Sequence, residues 1–206
     1  MDNKRAIFRG YLVVVISQMV IGVGVGMIVF SNMGNDPMGV FISGLSGKTG
    51  ISFGAMTNIY SLAVFVFLLI FYRKRLSLTT LITAVAVGFA IEPVLKFLRL
   101  FTFPTFVNNY IFPILGCGVV GLGVACYLCL DMGASITDNL ILFICDITKK
   151  GYPFGCYLIY FIYFTIGLLL GGVWGYATLV SLFFTGRVVD FLMPKFKNTI
   201  GKWVFA

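Results

Sequence analysis

The chain has 206 residues, of which 60% are hydrophobic and only 11% are charged. Because soluble domains carry roughly a quarter charged residues, this composition cannot cover a water-soluble globule and predicts a polytopic membrane protein. The chain has no histidine, which removes the commonest general base and a frequent zinc ligand. We therefore expect neither an enzyme nor a resident metal or cofactor. The net charge of +8 indicates membrane orientation rather than a nucleic-acid partner.

Uncharged stretches predict six transmembrane helices, since a helix needs about 20 residues to cross the bilayer. The predicted spans are Phe8–Phe30, Ile51–Tyr72, Leu78–Leu95, Val107–Leu130, 153–171 and 176–193. The last two are divided at Gly171, Gly172 and Gly175, where helix continuation is weakest. The predicted fold is thus a single all-α membrane domain over residues 1–206, with the lipid bilayer as its surroundings.

Lysine and arginine are distributed unequally between the two sides of the predicted membrane. With the N-terminus inside, three of them (Lys48, Lys96 and Arg99) fall outside and eleven fall on the cytoplasmic side. The eleven are Lys4, Arg5, Arg9, Arg73, Lys74, Arg75, Lys149, Lys150, Lys195, Lys197 and Lys202. This excess follows the positive-inside rule and predicts that both termini are cytoplasmic.

The two halves of the chain resemble each other. Residues 22–34 match 121–133 at an offset of 99, 52–54 match 153–155 at 101, and 80–92 match 178–190 at 98. Each half, 8–100 and 107–194, then holds three spans and one short insert. Because three is odd, the second half enters the membrane upside down, which predicts an inverted-topology repeat. Parallel halves would need inserts that span the membrane, and inserts of about 10–12 residues are too short.

The two inserts are predicted as short helices. The first covers Pro37–Leu45 after Asp36, which is placed to cap it, and the second covers Ile136–Ile147 after Ser135, which has capping-box spacing to Asp138. Neither insert is predicted to be amphipathic, so neither has the polar, charged face of a helix that lies on a membrane surface. We expect re-entrant helices buried at membrane depth, with interfacial connectors as the alternative.

A known family shares these motifs. The sequence Gly-Asn-Asp-Pro-Met-Gly at 34–39, followed by Thr-Gly-Ile-Ser-Phe-Gly at 49–54, resembles the signature of the YczE/YyaS/YitT-type bacterial integral membrane proteins. That pattern is G-x-x-P-W-D, an apolar run, then T-G-I-S-x-G. Met38 replaces its Trp, Gly39 replaces its Asp, and the second half keeps the Asp alone, as Asp138. The resemblance covers most of the chain.

The resemblance implies a location and a substrate class. It implies a multi-pass protein of the bacterial cytoplasmic membrane. Because members often occur beside pyridoxal-phosphate-binding transcription regulators, it also implies vitamin transport, with B6 vitamers as the first candidates.

Ionisable side chains within spans are costly, and this makes them candidates for function. Glu92 and Asp190 are equivalent in the repeat, so an inverted axis would place them symmetrically about the midplane. The alternative is that both reach water at helix ends, with Lys96 pairing with Glu92. Arg187 and Asp190 share a helical face, which favours a buried ion pair; Arg187 has no basic counterpart in the first half and could instead bind an anionic group of the solute.

The residues before and within the two insert tips form the predicted solute site, together with the span residues near them. Capping alone would explain Asp36 and Asp138, and packing would explain the aromatic stripe on the fifth span. The predicted site residues are Asn35, Asp36, Glu92, Ser135, Asp138, Asn139, Tyr157, Tyr160, Arg187 and Asp190.

This architecture favours a small secondary transporter or facilitator of a small polar organic solute. One alternative is the substrate-binding membrane subunit of an ATPase-driven vitamin uptake complex, and another is a regulatory membrane protein without transport. Glycines spaced four apart at Gly22 and Gly26 and at Gly167 and Gly171 permit close helix contact. They fit either tight packing within one chain or a homodimer seam.

Overall fold

The computed structural model describes residues 2–73 and 76–205. Lys74 and Arg75, two of the predicted cytoplasmic cations, lie outside these described residues. Within them the chain is helical and contains no strand. Its helices are α1 (Asp2–Ser31), α2 (Pro37–Thr49), α3 (Phe53–Phe71), α4 (Leu78–Leu98), α5 (Val107–Leu128), α6 (Ile136–Thr148), α7 (Tyr152–Leu169) and α8 (Tyr176–Val204).

Six of these helices, all except α2 and α6, are long and apolar enough to cross a membrane. The prediction of six spans is therefore confirmed for the described part of the chain. The predicted break between the last two spans is also confirmed. The helix α7 ends at Leu169, Gly171 adopts φ +80°, and α8 begins after Gly175. Glycine permits this left-handed turn without the steric cost that a Cβ would add.

Helices α1 and α5 form the centre of the molecule, and glycines allow their backbones to approach closely. A methyl group added at Gly24 would lie 2.6 Å from the Gly116 carbonyl oxygen, and one added at Gly123 would lie 2.8 Å from the Ser17 carbonyl oxygen. The two contacts are equivalent by the repeat offset of 99 residues: position 24 corresponds to 123, and position 17 corresponds to 116. The α1–α5 seam therefore repeats itself across the molecule.

The same relation holds for the helix that packs on each central helix. A methyl group added at Gly22 of α1 would lie 2.9 Å from the Val87 carbonyl oxygen of α4. One added at Gly121 of α5 would lie 3.1 Å from the Thr185 carbonyl oxygen of α8. Gly26 also meets α4, at Val94, so this glycine pair serves packing within one chain.

Helices α3 and α7 pack against different neighbours. The helix α3 packs along α4, whereas α7 packs on the short helix α2 and has no contact of comparable extent with α8 in the described residues. A methyl group added at Gly167 of α7 would meet the α2 backbone at Val40 and Phe41. The second half of the bundle is therefore more open than the first.

The outer faces of the long helices carry large apolar side chains. Phe8, Ile70, Phe161 and Leu169 are among the most exposed of them. Apolar side chains spread over the outside of a bundle are typical of contact with lipid tails. Together with the six spans, this surface makes the chain a multi-pass membrane protein.

Candidate functional site

The two short helices have matching backbone conformations. Each follows a left-handed residue, Asn32 (φ 56°) or Asp131 (φ 51°), and then a positive-φ glycine, Gly34 or Gly133. Each also ends at a left-handed residue. All these positions are 99 residues apart, as are the first residues of α2 and α6. The short helices thus enter the fold through the same backbone path.

Each short helix is anchored at its start by the long helix of the opposite half. The Ala177 N–H of α8 donates to the Met33 carbonyl oxygen at 3.1 Å. The Thr79 hydroxyl of α4 donates to the Met132 carbonyl oxygen at 2.8 Å. Because Ala177 and Thr79 are 98 residues apart, these anchors are equivalent. They hold the two helix starts in fixed positions relative to the bundle.

The two short helices differ in burial. In α2, Val40 and Ile42 are fully enclosed and pack among residues of α3, α4 and α7. In α6, only Ile136, Asn139 and Ile141 are buried, and the last turns are exposed. The expectation that neither insert has a polar face is therefore wrong for α6, which is amphipathic.

The first turns of the two short helices meet each other. The Thr137 hydroxyl of α6 lies 3.7 Å from the sulfur of Met38 in α2. These residues are 99 apart in sequence, so a residue touches its own counterpart. Polar groups of both first turns are thereby brought to one place.

Asp138 is the most highly hydrogen-bonded of the predicted site residues. Its carboxylate accepts from the Ser135 hydroxyl at 2.7 Å and from the Tyr152 hydroxyl at 2.8 Å. The Ser135 N–H at 3.3 Å and the Tyr127 hydroxyl at 3.4 Å approach it as well. The predicted capping box is confirmed, because the Ser135 oxygen also accepts from the Asp138 N–H. The carboxylate thus joins α5, α6 and α7.

Asp36 caps α2 but has fewer partners. Its Oδ1 accepts from the Gly39 N–H at 3.1 Å, as the sequence predicted. Solvent can reach the side chain, yet the surrounding protein desolvates the carboxyl group and raises its pKa.

Aromatic residues of α7 lie near the two carboxyl groups. The Tyr160 hydroxyl is within electrostatic range of both Asp36 and Asp138. One turn further, Tyr163 stacks on Phe41 with ring centroids 5.6 Å apart and hydrogen-bonds the Tyr60 hydroxyl. Helices α2, α3 and α7 therefore supply one aromatic wall beside the carboxyl groups.

Two other predicted residues lie next to the short helices. Asn139 is fully buried, and its amide group donates to the Thr80 hydroxyl at 3.1 Å and to the carbonyl oxygens of Ala134 and Ser135. The Asn35 amide donates to the Val173 carbonyl oxygen at 3.5 Å. Both side chains fasten the short helices to the bundle.

Three predicted charges are not brought to this cluster. The Glu92 carboxylate accepts from the Gly54 N–H at 2.9 Å and caps α3, instead of pairing with the exposed Lys96. Arg187 and Asp190 are both exposed and form no ion pair within 4 Å in the part of the chain that the structure describes. The predicted buried pair is therefore wrong, because α7 does not cover this face of α8.

Tyr157, predicted as part of the wall, is 76% exposed on the outside of α7, while Tyr160 faces inward as predicted. Sequence reasoning missed Tyr127 and Tyr152 as hydrogen-bond donors to Asp138, and Tyr60 as a member of the wall. Their contacts join distant helices, and no spacing in the sequence signals them. Tyr163 belonged to the visible stripe of tyrosines at 157, 160 and 163.

The comparisons with known proteins place the chain in a family. A model described as "Family of unknown function (DUF6198)" matches residues 8–194. The chain belongs to this family. It is 26% identical over 190 residues to "Uncharacterized protein YyaS" of Bacillus subtilis (strain 168), covering 89% of the chain and 92% of that relative. It is 28% identical over 183 residues to an "Uncharacterized protein" of Haemophilus influenzae, covering 84% and 78%.

The resemblance predicted from the motifs at 34–39 and 49–54 is thereby confirmed at the level of the YyaS-type family. No solved structure shows a significant match to the chain.

Proposed function

We propose that this DUF6198 member is a small secondary transporter or facilitator of a small polar organic solute in the bacterial cytoplasmic membrane. The observation that carries the proposal is the contact between the first turns of the two short helices, one capped by Asp36 and the other holding Asp138, with Tyr160 of α7 within electrostatic range of both carboxyl groups. Polar groups collected between broken helices are the usual place of a substrate site in transporters built from repeats.

The charges around the site favour a solute that brings positive charge or hydrogen-bond donors. No lysine or arginine lies within 4 Å of Asp36 or Asp138 among the described residues. Helix N-termini offset part of the cost of these carboxylates, and a bound cation would offset more. A protonated amine on an aromatic or heteroaromatic ring fits both the carboxylates and the wall of Tyr163, Phe41 and Tyr60. Pyridoxamine, a B6 vitamer of the class that the family resemblance implies, has this chemistry.

We further infer that the halves 8–100 and 107–194 form an inverted-topology repeat with both short helices re-entrant. Three lines of observation support this. The contacts of Gly24 and Gly22 recur at Gly123 and Gly121, the short helices begin and end 99 residues apart, and each half has three spans. An odd number of spans requires opposite orientations of the halves, and the charge distribution supports cytoplasmic positions for both termini.

A binding and flux experiment tests the proposed function. Purified protein is screened by thermal unfolding against pyridoxamine, other ring-bearing amines and neutral analogues, because a ligand of the folded state raises its stability. Hits are then tested for uptake into proteoliposomes. We expect a protonated amine to stabilise the protein and to be transported. Binding without flux would favour a binding subunit, and copurification with ATPase subunits would identify its complex. Neither binding nor flux would favour a regulatory protein.

A topology experiment tests the inverted repeat separately. Reporter fusions after Lys48, in the last turn of α2, and after Lys150, just beyond α6, sample the two sides. We expect them to report opposite sides of the membrane. If both report the same side, the halves are parallel and the proposed site loses its architectural basis.

A further inference from the structure

The helix that follows each short helix uses its glycine face differently in the two halves. In the first half, a methyl group added at Gly54 of α3 would lie 2.6 Å from the Gly88 carbonyl oxygen of α4. The Gly54 N–H also donates to Glu92 of α4. The faces of α3 and α4 that carry these glycines therefore pack directly against each other. The Glu92 carboxylate has a hydrogen-bond donor within this contact.

In the second half the equivalent residues are apart. Gly155, the counterpart of Gly54, faces α6, where an added methyl group would lie 2.6 Å from the Cys145 sulfur. Gly186, the counterpart of Gly88, has no atom within 4 Å of such a methyl group. Asp190, the counterpart of Glu92, is exposed. The face of α8 around Gly186 therefore carries the same small residue as the matching face of α4, but no helix of the described part of the chain packs on it.

The uncovered face of α8 also carries the carboxylate of Asp190, which packing of another helix on this face could stabilise. Asp190 lies in a predicted span and has no ion-pair partner within 4 Å among the described residues. An isolated carboxylate at membrane depth is unfavourable unless it pairs or reaches water. Its counterpart Glu92 meets the same requirement by accepting a hydrogen bond from the Gly54 N–H at the start of α3.

We propose that, in a second conformation of the protein, α7 gives up its packing on α2 and its Gly155 contact with α6, and packs on α8 instead. Gly155 would then meet Gly186 and Asp190 as Gly54 meets Gly88 and Glu92. This exchange opens one side of the site between the short helices and closes the other. The role of this movement in transport rests on the proposed function, whereas the movement itself is inferred from the helix contacts alone. Repeats that take up opposite conformations are one way to achieve alternating access.

Cysteine cross-linking in membranes tests the second conformation without any solute. The five native cysteines are replaced, and Ile159→Cys is combined with Gly186→Cys, the counterparts of the touching pair Asn58 and Gly88. Ile159 now packs in the core cluster with Ile141, so a disulfide between positions 159 and 186 requires α7 to move, since bridged Cβ atoms lie about 4 Å apart. Ile159→Cys combined with Arg187→Cys is the matched control, because Arg187 corresponds to Phe89, an exposed residue.

We expect the 159–186 pair to lose its free thiols on mild oxidation while the chain stays monomeric on a gel, at a rate at least about tenfold above the 159–187 pair. No disulfide, equal rates for the two pairs, or a disulfide between two chains would overturn the proposal. The last result would assign the open face of α8 to a second copy.

A single substitution provides a second test that does not depend on Ile159. Gly155→Cys, with Cys145 retained, places two sulfurs within bonding reach and should lock α7 on α6. We expect the lock to lower solute flux at least about tenfold and a reductant to restore it. Unchanged flux in the locked protein would overturn the exchange. If the wild type shows no flux while the 159–186 disulfide forms, the proposed function fails and the second conformation stands.

Discussion

Replacement of Asp138 separates its structural role from its proposed role in the site. Asp138→Ala removes the acceptor of two short hydrogen bonds, from Ser135 at 2.7 Å and Tyr152 at 2.8 Å. Hydrogen bonds to a charged group contribute about 1.5–3 kcal/mol each. Because Tyr152 is 44% exposed, its bond belongs at the lower end of that range. We therefore expect the free energy of unfolding to fall by about 3–4.5 kcal/mol.

Asp138→Asn should behave differently. It keeps the shape and one acceptor oxygen, so the free energy of unfolding should fall by only about 1 kcal/mol. It removes the negative charge, however, and should weaken binding of a protonated amine about tenfold, which corresponds to about 1.4 kcal/mol. Thermal or denaturant unfolding in detergent measures the stability, and ligand titration of the folded variant measures the affinity.

Asp131→Asn is the matched control for this pair. Asp131 is exposed and forms only a 3.9 Å ion pair with Lys197, and asparagine tolerates its positive φ. Its stability should change by less than about 0.5 kcal/mol, and its affinity should not change. If Asp138→Ala is as stable as the wild type, the hydrogen-bond network does not hold α6. If Asp138→Asn binds the solute normally, the carboxylate is not part of the site.

Three further predictions follow from other contacts. Glu92→Ala should lower the free energy of unfolding by about 1–2 kcal/mol because it leaves the α3 N-terminus uncapped, while Asp190→Ala should not; thermal unfolding compares the two. Gly24→Val should lower the free energy of unfolding by about 1–3 kcal/mol or prevent folding, because the α1–α5 seam has no room for the side chain. Gly118→Val should be tolerated, because a Cβ added there would meet only a ring carbon at 3.8 Å. Desolvation by the surrounding protein raises the pKa of Asp36 above 3.8, so the wild type should lose stability as pH rises from about 4 through that raised pKa. Asp36→Asn keeps the cap and should not show this loss in unfolding curves measured across that range.

The long helices could be predicted from the sequence because hydrophobicity alone determines them. Each predicted span coincides with a helix, and the break before α8 falls at the predicted glycines. The last helix was predicted to end at 193 but continues to Val204. Its final turns carry Lys195, Lys197 and Lys202, and such charges end a hydrophobic stretch without ending a helix.

The short helices could be placed because their starts carry capping residues. Asp36 and Ser135 accept the predicted backbone N–H groups, so local chemistry was sufficient there. The residues of the aromatic wall could be predicted only in part. Tyr160 was visible as one tyrosine of a stripe, but a stripe does not tell which of its members face inward. Tyr127 and Tyr152 reach Asp138 through contacts between helices, which no local pattern encodes.

The expectation that Glu92 and Asp190 have equivalent surroundings is wrong for a physical reason. The repeat made Glu92 and Asp190 equivalent in sequence, and the expectation that they share an environment assumes that both halves have the same conformation. The structure gives Glu92 a partner in α3 and gives Asp190 none in α7. The sequence repeat therefore determines which helix contacts each half can make, whereas the packing of the helices determines which half makes them.

The two carboxylates of the site are not symmetric either, and this difference ranks them as ligands. Asp138 lies in the first turn of α6, and both of its oxygens already accept hydrogen bonds from Ser135 and tyrosine hydroxyls. Asp36 lies one residue before α2 and accepts only from Gly39 on one oxygen. A solute cation would meet less competition at Asp36, because no existing hydrogen bond to its second oxygen must be broken. Asp36→Asn should therefore weaken binding more than Asp138→Asn does, and titration of both variants with the same amine measures the difference. The opposite order would place the cation at the tyrosine-lined end of the site.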